Sequence, residues 1–462
     1  MMKKHLFTTA IVGVISLTSQ WGYAQNTPQF SLIDLWEKTE QNYVGLQAKN
    51  ASVDAAQHHY KSSKTEALPQ LRIQAQNSYG SFEGSNGAFF PQPGFFNVSG
   101  NPDTFDGADN TMNSFGSAVV EWEIFAFGKQ KQATKATKAS LNKSIADKEA
   151  YAIQLKKELT TRYIRTLYNE ANLDWTQKNT NRLNEVQRIT ASLTAAGMKP
   201  QADSLLAHSS YLQALSQQDL WQGNKESSLI HLAELTGEES GMNTIETERF
   251  LTFSTIENQP ATAIENNHPF LQSLEHQSES LMHSSKSIAR SGLPSFKVLG
   301  GYAVRGSGID KSGYVSDRWK DGFSNSVDNY LVGVGLTWNF TTLFTNKHKQ
   351  ENFAKMAKSV DFQKEQYSQQ MQAQLASSIA KINEQQKQLQ KTKQAIEQAH
   401  QAYTMYLARY KSGLIALSEL LQIQSLLQQA EKTHIEASQQ YWLQLVAQAT
   451  LTTDFQFLFN NL

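Results

Sequence analysis

Cysteine is absent from the 462-residue chain, and proline is rare, with nine residues. The absence of cysteine excludes disulfide bonds, thiolate catalysis and a lipid anchor on an N-terminal cysteine. The 42 basic side chains are balanced by 42 acidic ones, so the chain lacks the positive excess typical of nucleic-acid-binding proteins. After residue 20, no stretch approaches the roughly 18 apolar residues that a membrane-spanning helix requires.

Sequence patterns that indicate an enzyme or a metal site are also missing. His268, His276 and His283 recur at spacings of eight and seven, which is not the i, i+4 spacing of a metal-binding helix. The Gly-Ser-Gly segment 306–308 lies between expected strands, so no helix follows it to hold a phosphate group. No serine-nucleophile motif occurs. We therefore expect no enzyme activity, no metal and no cofactor.

The first residues have the pattern of a secretory signal peptide. A basic start (MMKKH) precedes a short apolar run (LFTTAIVGVISLT), and Gly22 and Ala24 occupy positions −3 and −1 of an expected cleavage site. The alternative is a buried N-terminal helix. A signal peptide at residues 1–24 would carry the mature chain out of the cytoplasm.

The remaining sequence is a tandem duplication. One constant offset aligns 42–69 with 267–294, and further along a slightly smaller offset aligns Trp122 with Trp338. The offset decreases because the first Gly- and Asn-rich loop is longer than the second. We therefore expect two large repeats, residues 25–240 and 241–462.

Each repeat is predicted to contain a helix, two strands joined by an external loop, a long helix and a return helix. Strands are predicted from alternating apolar and polar side chains, as in NYLVGVGLTWNF. Long helices are predicted from stretches without proline or glycine; each would measure about 100 Å and must pack along other helices. In the first repeat the predicted elements are helix 31–64, strand 70–80, external loop 81–113, strand 114–125, long helix 129–196 and return helix 200–235. In the second they are helix 267–292, strand 294–305, external loop 306–328, strand 329–340, long helix 346–412 and return helix 416–449.

The predicted strands have the length of tilted membrane strands, nine to twelve residues. Four strands cannot close a barrel, and an open sheet edge cannot lie in hydrocarbon. Bacterial outer-membrane barrels have at least about eight strands, so several chains must share one barrel. Two chains would leave too narrow a lumen for transport, and three would supply twelve strands. A soluble β-sandwich is the alternative, but it would need more strands.

Aromatic residues at the strand ends favour a position in the membrane. Trp122 and Phe125 end one strand, and Trp338 and Phe340 end the other, where they would form an aromatic belt on the side from which the long helices emerge. The opposite strand face, which would be wet, carries Glu121, Glu123, Lys297, Thr337 and Asn339. We therefore expect the apolar face to contact outer-membrane lipid of a Gram-negative bacterium and the helices to extend into the periplasm.

This architecture resembles the TolC-like outer-membrane efflux family over essentially the whole mature chain. The segments AAGMKPQADSLL (195–206) and YKSGLIALSELL (410–421) are similar to the turns between the family's long and return helices. The resemblance implies a mainly α fold in which a homotrimer forms a twelve-strand barrel and a twelve-helix periplasmic tunnel. It also implies an exit duct for efflux or type I secretion, which works with a periplasmic adaptor protein and an inner-membrane pump.

The resemblance further implies a gate at the periplasmic end of the tunnel. Asp203 matches the carboxylate of the first turn, and Tyr410 matches the tyrosine three residues before the second-turn glycine. In the family these two groups hydrogen-bond between neighbouring helix pairs. Glu419 matches the first acidic position of the constriction. Gly197 and Gly413 match the helix-turn tips, where the adaptor would dock.

The sequence departs from the family pattern at two gate positions. Gln422 stands where a second acidic ring is common, and Ile415 stands where a basic gate-locking residue can occur. With fewer carboxylates the constriction would concentrate cations less strongly. The gate would then be held differently, with Lys199 or Lys411 as the candidate cation.

Each gate residue also has a purely structural alternative. Asp203 can be a first-turn carboxylate that stabilises the helix dipole by under about 1 kcal/mol. Tyr410 can be a core aromatic residue, Glu419 can be solvated on the outer wall, and the two glycines can be helix caps. For the whole chain, the main alternative is a trimeric coiled-coil surface or scaffold protein with a small membrane β-anchor, although anchor strands in such proteins gather at one terminus.

Overall fold

The structure, a computed structural model, describes residues 31–81, 106–237, 247–252, 261–265 and 267–462. The expected signal peptide, most of the first external loop and much of the connection between the repeats lie outside the described residues. Within the described ranges the chain is mainly helical, with an antiparallel sheet at one end of two very long helices.

The helices and strands follow one another in the order expected for two copies of one unit. The helices are α1 Leu32–Asn42, α2 Val44–Thr65, α3 Lys129–Ala195, α4 Gln201–Thr236, α5 Glu248–Leu251, α6 Pro269–Ser291, α7 Thr342–Lys411, α8 Leu417–Thr452 and α9 Gln456–Asn461. The strands are β1 Gln70–Ser81, β2 Asp106–Gly107, β3 Asn110–Phe125, β4 Ser295–Ser307, β5 Tyr314–Val315 and β6 Val327–Thr337, with a 3-10 helix at Trp319–Phe323. The 67 residues of α3 and the 70 of α7 make each helix about 100 Å long.

The four long strands form one sheet in the order β1-β3-β4-β6, with every pair antiparallel. Strands β1 and β6 are the edges of this sheet and have no strand on their outer sides in the described chain. The register places most of the apolar side chains of the four strands on one face, including Leu71, Ile73, Val120, Trp122, Val298, Val332 and Val334. This face is open to solvent in the single chain: Ile73 is 74% exposed and Val332 is 78% exposed.

The opposite face of the sheet is mainly polar, although Val119, Leu299 and Leu331 also lie on it. It carries Gln74 beside Ser117 and Glu121 beside Lys297, whose ammonium donates a hydrogen bond to the Glu121 carboxylate. The alternation seen in the sequence therefore corresponds to two chemically different faces of one sheet.

Several element bounds differ from the sequence prediction. The predicted helix 31–64 is divided at Tyr43, which has an extended backbone conformation (φ −69°, ψ 117°). Strand β3 begins at Asn110, and not at residue 114, because its first residue still pairs with Ser81 of β1. Strand β6 ends at Thr337, so Trp338 and Phe340 lie in the turn that leads into α7.

The second external loop is more ordered than the sequence pattern predicts. Residues predicted as loop 306–328 include β5, which pairs in parallel with β2, and the 3-10 helix, which packs on β3 and β4. The hydroxyl of Ser114 donates to the Gly322 carbonyl at 2.6 Å, and a Cβ atom at Gly322 would lie 2.6 Å from Cβ of Met112. Only glycine permits this close approach of the loop to the sheet.

The two copies share a hydrogen bond that reproduces both sequence offsets. The indole Nε1 of Trp122 donates to the Ala67 carbonyl at 3.0 Å, and Nε1 of Trp338 donates to the Gly292 carbonyl at 3.1 Å. The two donors are separated by the smaller offset and the two acceptors by the larger one, as in the aligned sequences. In each copy this bond fixes the end of a strand to the end of the preceding helical segment.

The two long helices differ in how much of their surface the chain itself covers. Helix α3 packs against α2, α4, α6 and α8 and buries 22 residues, whereas α7 packs mainly against α6 and α8 and buries 10. The largest apolar core lies where α1, α5 and α9 cover one face of α3 and α8, around Tyr163, Phe250 and Trp442. We refer to α1, α5 and α9 together as the strap.

None of the described helices is both long enough and apolar enough to cross a membrane.

Candidate gate at the helix tips

The two helix turns at the end of the molecule remote from the sheet have the same backbone geometry. Gly197 and Gly413 each have φ of +74°, a conformation that favours glycine. In both turns the amide of the following residue donates to the carbonyl five residues earlier, at 2.9 and 3.0 Å, which is the Schellman pattern of a helix end. A Cβ atom at either glycine would meet no atom within 4 Å, so the tips themselves are open to solvent.

Exposed apolar side chains follow both glycines. Met198 is 64% exposed and Leu414 is 70% exposed, and these two residues occupy equivalent positions in the two copies. Large apolar side chains grouped on an exposed surface are typical of a protein–protein contact.

Tyr410 lies at the end of α7 and joins it to α3. The side chain is fully buried, and its hydroxyl oxygen lies 2.9 Å from Oγ1 of Thr190. Because the Thr190 hydroxyl donates to the Val186 carbonyl at 2.8 Å, the Tyr410 hydroxyl is the donor in this contact. Burial raises the pKa of Tyr410, the hydrogen bond with Thr190 opposes this shift, and the negative charge of Asp203 adds to it. Tyr410 is therefore a neutral donor at physiological pH.

Two lysines join the two repeats of one chain near the helix tips. Nζ of Lys199 donates to the Ile415 carbonyl at 3.1 Å and lies 5.4 Å from the centroid of the Tyr410 ring. Nζ of Lys411 forms an ion pair with Glu185 of α3 at 2.7 Å. Lys199 thus lies beside Ile415, one of the two positions where the sequence departs from the family pattern, whereas Lys411 joins the end of α7 to α3.

The acidic and amide residues of the predicted constriction lie close to these turns. Asp203, in the first turn of α4, is half-buried, and its carboxylate has no hydrogen bond or ion pair within the described part of the chain. The carboxylate of Glu419 accepts a hydrogen bond from the Ala416 amide at 3.4 Å, so it also caps the start of α8. Glu419 and Gln422 lie on the exposed side of α8, away from the buried Leu420.

A buried polar layer above the tips was not predicted from the sequence. Arg182 of α3 donates two hydrogen bonds to Glu431 of α8, at 2.9 and 2.5 Å, and Trp175 Nε1 donates to the same carboxylate at 3.1 Å. The amide of Gln424 donates to Asn179 next to this pair. In the sequence, the sign of this layer is a single charge of opposite sign within a mainly apolar stripe of α3 and of α8. No local spacing pattern connects these two residues, which are 249 positions apart.

The aromatic residues predicted as a membrane belt lie at the sheet end from which the long helices begin. Trp122 and Phe125 end β3, next to the start of α3, while Trp338 and Phe340 precede α7. The Trp338 and Phe340 rings contact edge to face, with centroids 5.5 Å apart. All four side chains are exposed in the single chain.

The described residues contain no group of three or more histidine, aspartate or glutamate side chains that could hold a metal ion.

The sequence model of the family described as "Outer membrane efflux protein" matches residues 35–238 and 261–453. The chain therefore belongs to the outer membrane efflux protein family. The expected relationship to TolC-like channels, the mainly helical fold with a four-stranded sheet, and the outer-membrane location are confirmed. Its family and its structural neighbours are channels and not enzymes.

Solved structures of outer-membrane proteins share this fold at low sequence identity. The CmeC outer membrane channel of Campylobacter jejuni has a TM-score of 0.74 and 14% identity, over 98% of this chain and 94% of that one. The outer membrane protein VceC of Vibrio cholerae has a TM-score of 0.72 and 15% identity, over 91% and 96%. The MtrE channel of Neisseria gonorrhoeae, solved in an open state, has a TM-score of 0.72 and 15% identity, over 91% and 88%. No curated protein matches the chain.

Proposed function

We propose that this chain is the outer-membrane exit duct of a tripartite efflux or type I secretion system. It would pass substrates from an inner-membrane pump across the periplasm and the outer membrane. The observation that carries the proposal is a membrane-type sheet with two unpaired edges, attached to helices long enough to cross the periplasm. Because the family consists of outer-membrane efflux channels, it favours this duct over the coiled-coil scaffold alternative.

A homotrimer would pair the two free sheet edges of each chain and cover the exposed side of α7. The edges β1 and β6 contain 12 and 11 residues, and hydrocarbon cannot accommodate their unpaired backbone groups. Pairing β6 of one copy with β1 of the next would remove both edges and, with three copies, give a closed barrel of twelve strands. The uncovered side of α7 is available to pack against a neighbouring copy along the tunnel.

The strap indicates which face of the helix layer is the outer one. A tunnel that conducts substrates cannot be filled by packed side chains. The strap packs against one face of α3 and α8 and forms the largest apolar core there, so this face cannot line the tunnel. We therefore place the strap outside the tunnel and the opposite face of α3 and α8 on its lumen. At the sheet end, Trp122, Phe125, Trp338 and Phe340 would lie in the lipid interface.

The helix tips would form the gate and the adaptor contact. Bonds from Lys199, Lys411 and Tyr410 join the two repeats of one chain near the helix tips, while the unpartnered carboxylate of Asp203 is available to a neighbouring chain. Glu419 would supply one carboxylate per chain to the constriction, where Gln422 adds none. The exposed apolar residues after Gly197 and Gly413 would be covered by the periplasmic adaptor.

Single-channel current recorded from purified protein in a planar bilayer tests the proposal. We expect a small, stable conductance in the wild type and a several-fold larger conductance in Asp203→Ala, since removal of the carboxylate loosens the closed tips. The matched control is Asp174→Ala, an exposed acid of α3 about 30 Å from its tip end. Inserted, folded trimers that carry no current in any of the three forms would refute the duct and support the scaffold alternative.

A further inference from the structure

A cavity with a volume of about 470 Å³ lies between α3, α4 and α8. Its wall includes Arg165 and Tyr168 of α3, Trp221 and His231 of α4, and Leu443 of α8. Sites for small molecules typically measure about 300–1,000 Å³ and combine an apolar wall with a few polar groups. The cavity has the size of such a site, its lining contains more polar side chains, and no part of the proposed gate or barrel uses it.

The cavity opens on the face of α3 opposite to the strap. Thr161, Arg165 and Tyr168 line the cavity, and their spacings of four and three place them on one side of the helix. Tyr163 and Leu167, which pack in the strap core, lie about 200° further around the helix axis. In the duct proposed above, the cavity would therefore face the lumen, and a substrate in transit would meet it.

The electrostatic character of the wall favours an anion. No acidic residue is among those that line the cavity, and Arg165 provides a permanent positive charge. Arg162, one turn earlier, is held by Glu158 and Glu234, each at 2.7 Å. Arg165 forms no ion pair with any described residue and is exposed, so its guanidinium is free to bind a carboxylate with two hydrogen bonds.

The apolar part of the wall is aromatic. The Tyr168 and Trp221 rings meet edge to face with centroids 5.7 Å apart, an arrangement that fixes both rings. The indole Nε1 of Trp221 is buried, so the ring of Trp221 and not its N–H group contributes to the wall. Burial, with the charge of Glu436, raises the pKa of Tyr168, which therefore adds no negative charge.

We propose that this cavity binds amphiphilic anions of the aromatic carboxylate class during their passage through the channel. The carboxylate would pair with Arg165, and the ring would lie against Tyr168 and Trp221. The proposal rests on the proposed duct. It adds that the wall of the duct binds one class of substrate in preference to others.

Equilibrium dialysis of 1-naphthoate against the trimer in lipid nanodiscs tests the site. We expect Arg165→Gln to weaken binding at least tenfold, since a charge-assisted pair is lost. Uncharged 1-naphthamide should bind the wild type at least tenfold more weakly than 1-naphthoate and should be insensitive to Arg165→Gln. Trp221→Ala, which removes the aromatic ring that lies against Tyr168, should weaken 1-naphthoate binding several-fold.

The control variant is Arg188→Gln, which removes an exposed arginine further along α3 and outside the cavity. Equal 1-naphthoate binding by the Arg165 and Arg188 variants, or equal binding of naphthoate and naphthamide by the wild type, would overturn the proposal. The same nanodisc samples are checked for trimer mass and channel current. Trimers that conduct but do not bind 1-naphthoate would refute the site alone, whereas protein that neither trimerises nor conducts would refute the proposed duct.

Discussion

Replacing Tyr410 with phenylalanine is expected to make the closed helix tips less stable. The phenylalanine ring would keep the buried packing of the tyrosine, so the change removes only the hydroxyl that lies 2.9 Å from Oγ1 of Thr190. Thr190 keeps its own bond to the Val186 carbonyl at 2.8 Å. The substitution therefore deletes one bond between α3 and α7 and creates neither a cavity nor a charge.

The size of the effect depends on how many chains open together. A hydrogen bond of this kind contributes about 1 kcal/mol net, which corresponds to roughly a fivefold change in the ratio of open to closed tips when one chain opens alone. Three chains that open in one step lose about 3 kcal/mol, which corresponds to more than a 100-fold change. The measured ratio thus also distinguishes independent from concerted opening.

Open probability in single-channel records is the measurement, and the chain offers a chemically identical control. Tyr403, two turns earlier on α7, is also buried, but its hydroxyl has no hydrogen-bond partner among the described residues. Burial raises the pKa of Tyr403 to about 12, so the phenol stays neutral throughout the assay. Tyr403→Phe should leave gating unchanged. Equal open probabilities for the two phenylalanine variants and the wild type would show that the bond between Tyr410 and Thr190 does not hold the tips closed.

Two further predictions concern ion selectivity and pH. Glu419→Gln should move the reversal potential in a potassium chloride gradient towards zero and Gln422→Glu should move it away from zero; no shift in either variant would remove these residues from the constriction. Burial lowers the pKa of His434, whose neutral ring contacts Thr392 Oγ1 at 2.8 Å and the Leu251 carbonyl at 3.3 Å. Its contribution to stability is complete above the unfolded-state pKa of about 6.5 and is lost as pH falls below it, because the unfolded chain then binds the proton more readily. The wild-type Tm should therefore decrease more steeply than that of His434→Gln between pH 7 and pH 5, and parallel curves would contradict this assignment.

Local patterns predicted the elements of this fold because each pattern has one physical cause. Alternating side chains along β6 specify a strand with two different faces, and an uninterrupted run without proline or glycine specifies α3. Gly197 and Gly413 were predicted from the resemblance to the family's helix turns, and their φ of +74° supplies the physical reason for glycine there. The pair Trp122 and Trp338, aligned by the sequence duplication, also has equivalent contacts, since each indole donates to a backbone carbonyl at the end of the preceding helical segment.

Contacts between distant segments could not be predicted in the same way. The pair Arg182 and Glu431, the bond between Thr190 and Tyr410, and the cavity beside Trp221 each depend on how α3 packs against later helices. Charge or polarity at one such position does not reveal its partner in the other repeat. Gly322 shows the same limit in the external loop. A side chain at this position would clash with Met112, and this clash exists only because the 3-10 helix contacts the sheet.

The two unpaired edges of the sheet have a genetic consequence. In the proposed barrel, β6 of each copy pairs with β1 of the next. A proline in β6 removes a backbone donor from this pairing, so a chain that carries it would disrupt one strand pair in every trimer that it enters. If wild-type and defective chains are made in equal amounts and mix at random, about one trimer in eight contains only wild-type chains. Damage confined to a single edge strand would therefore be dominant, even though the unaltered gene still produces half of the protein.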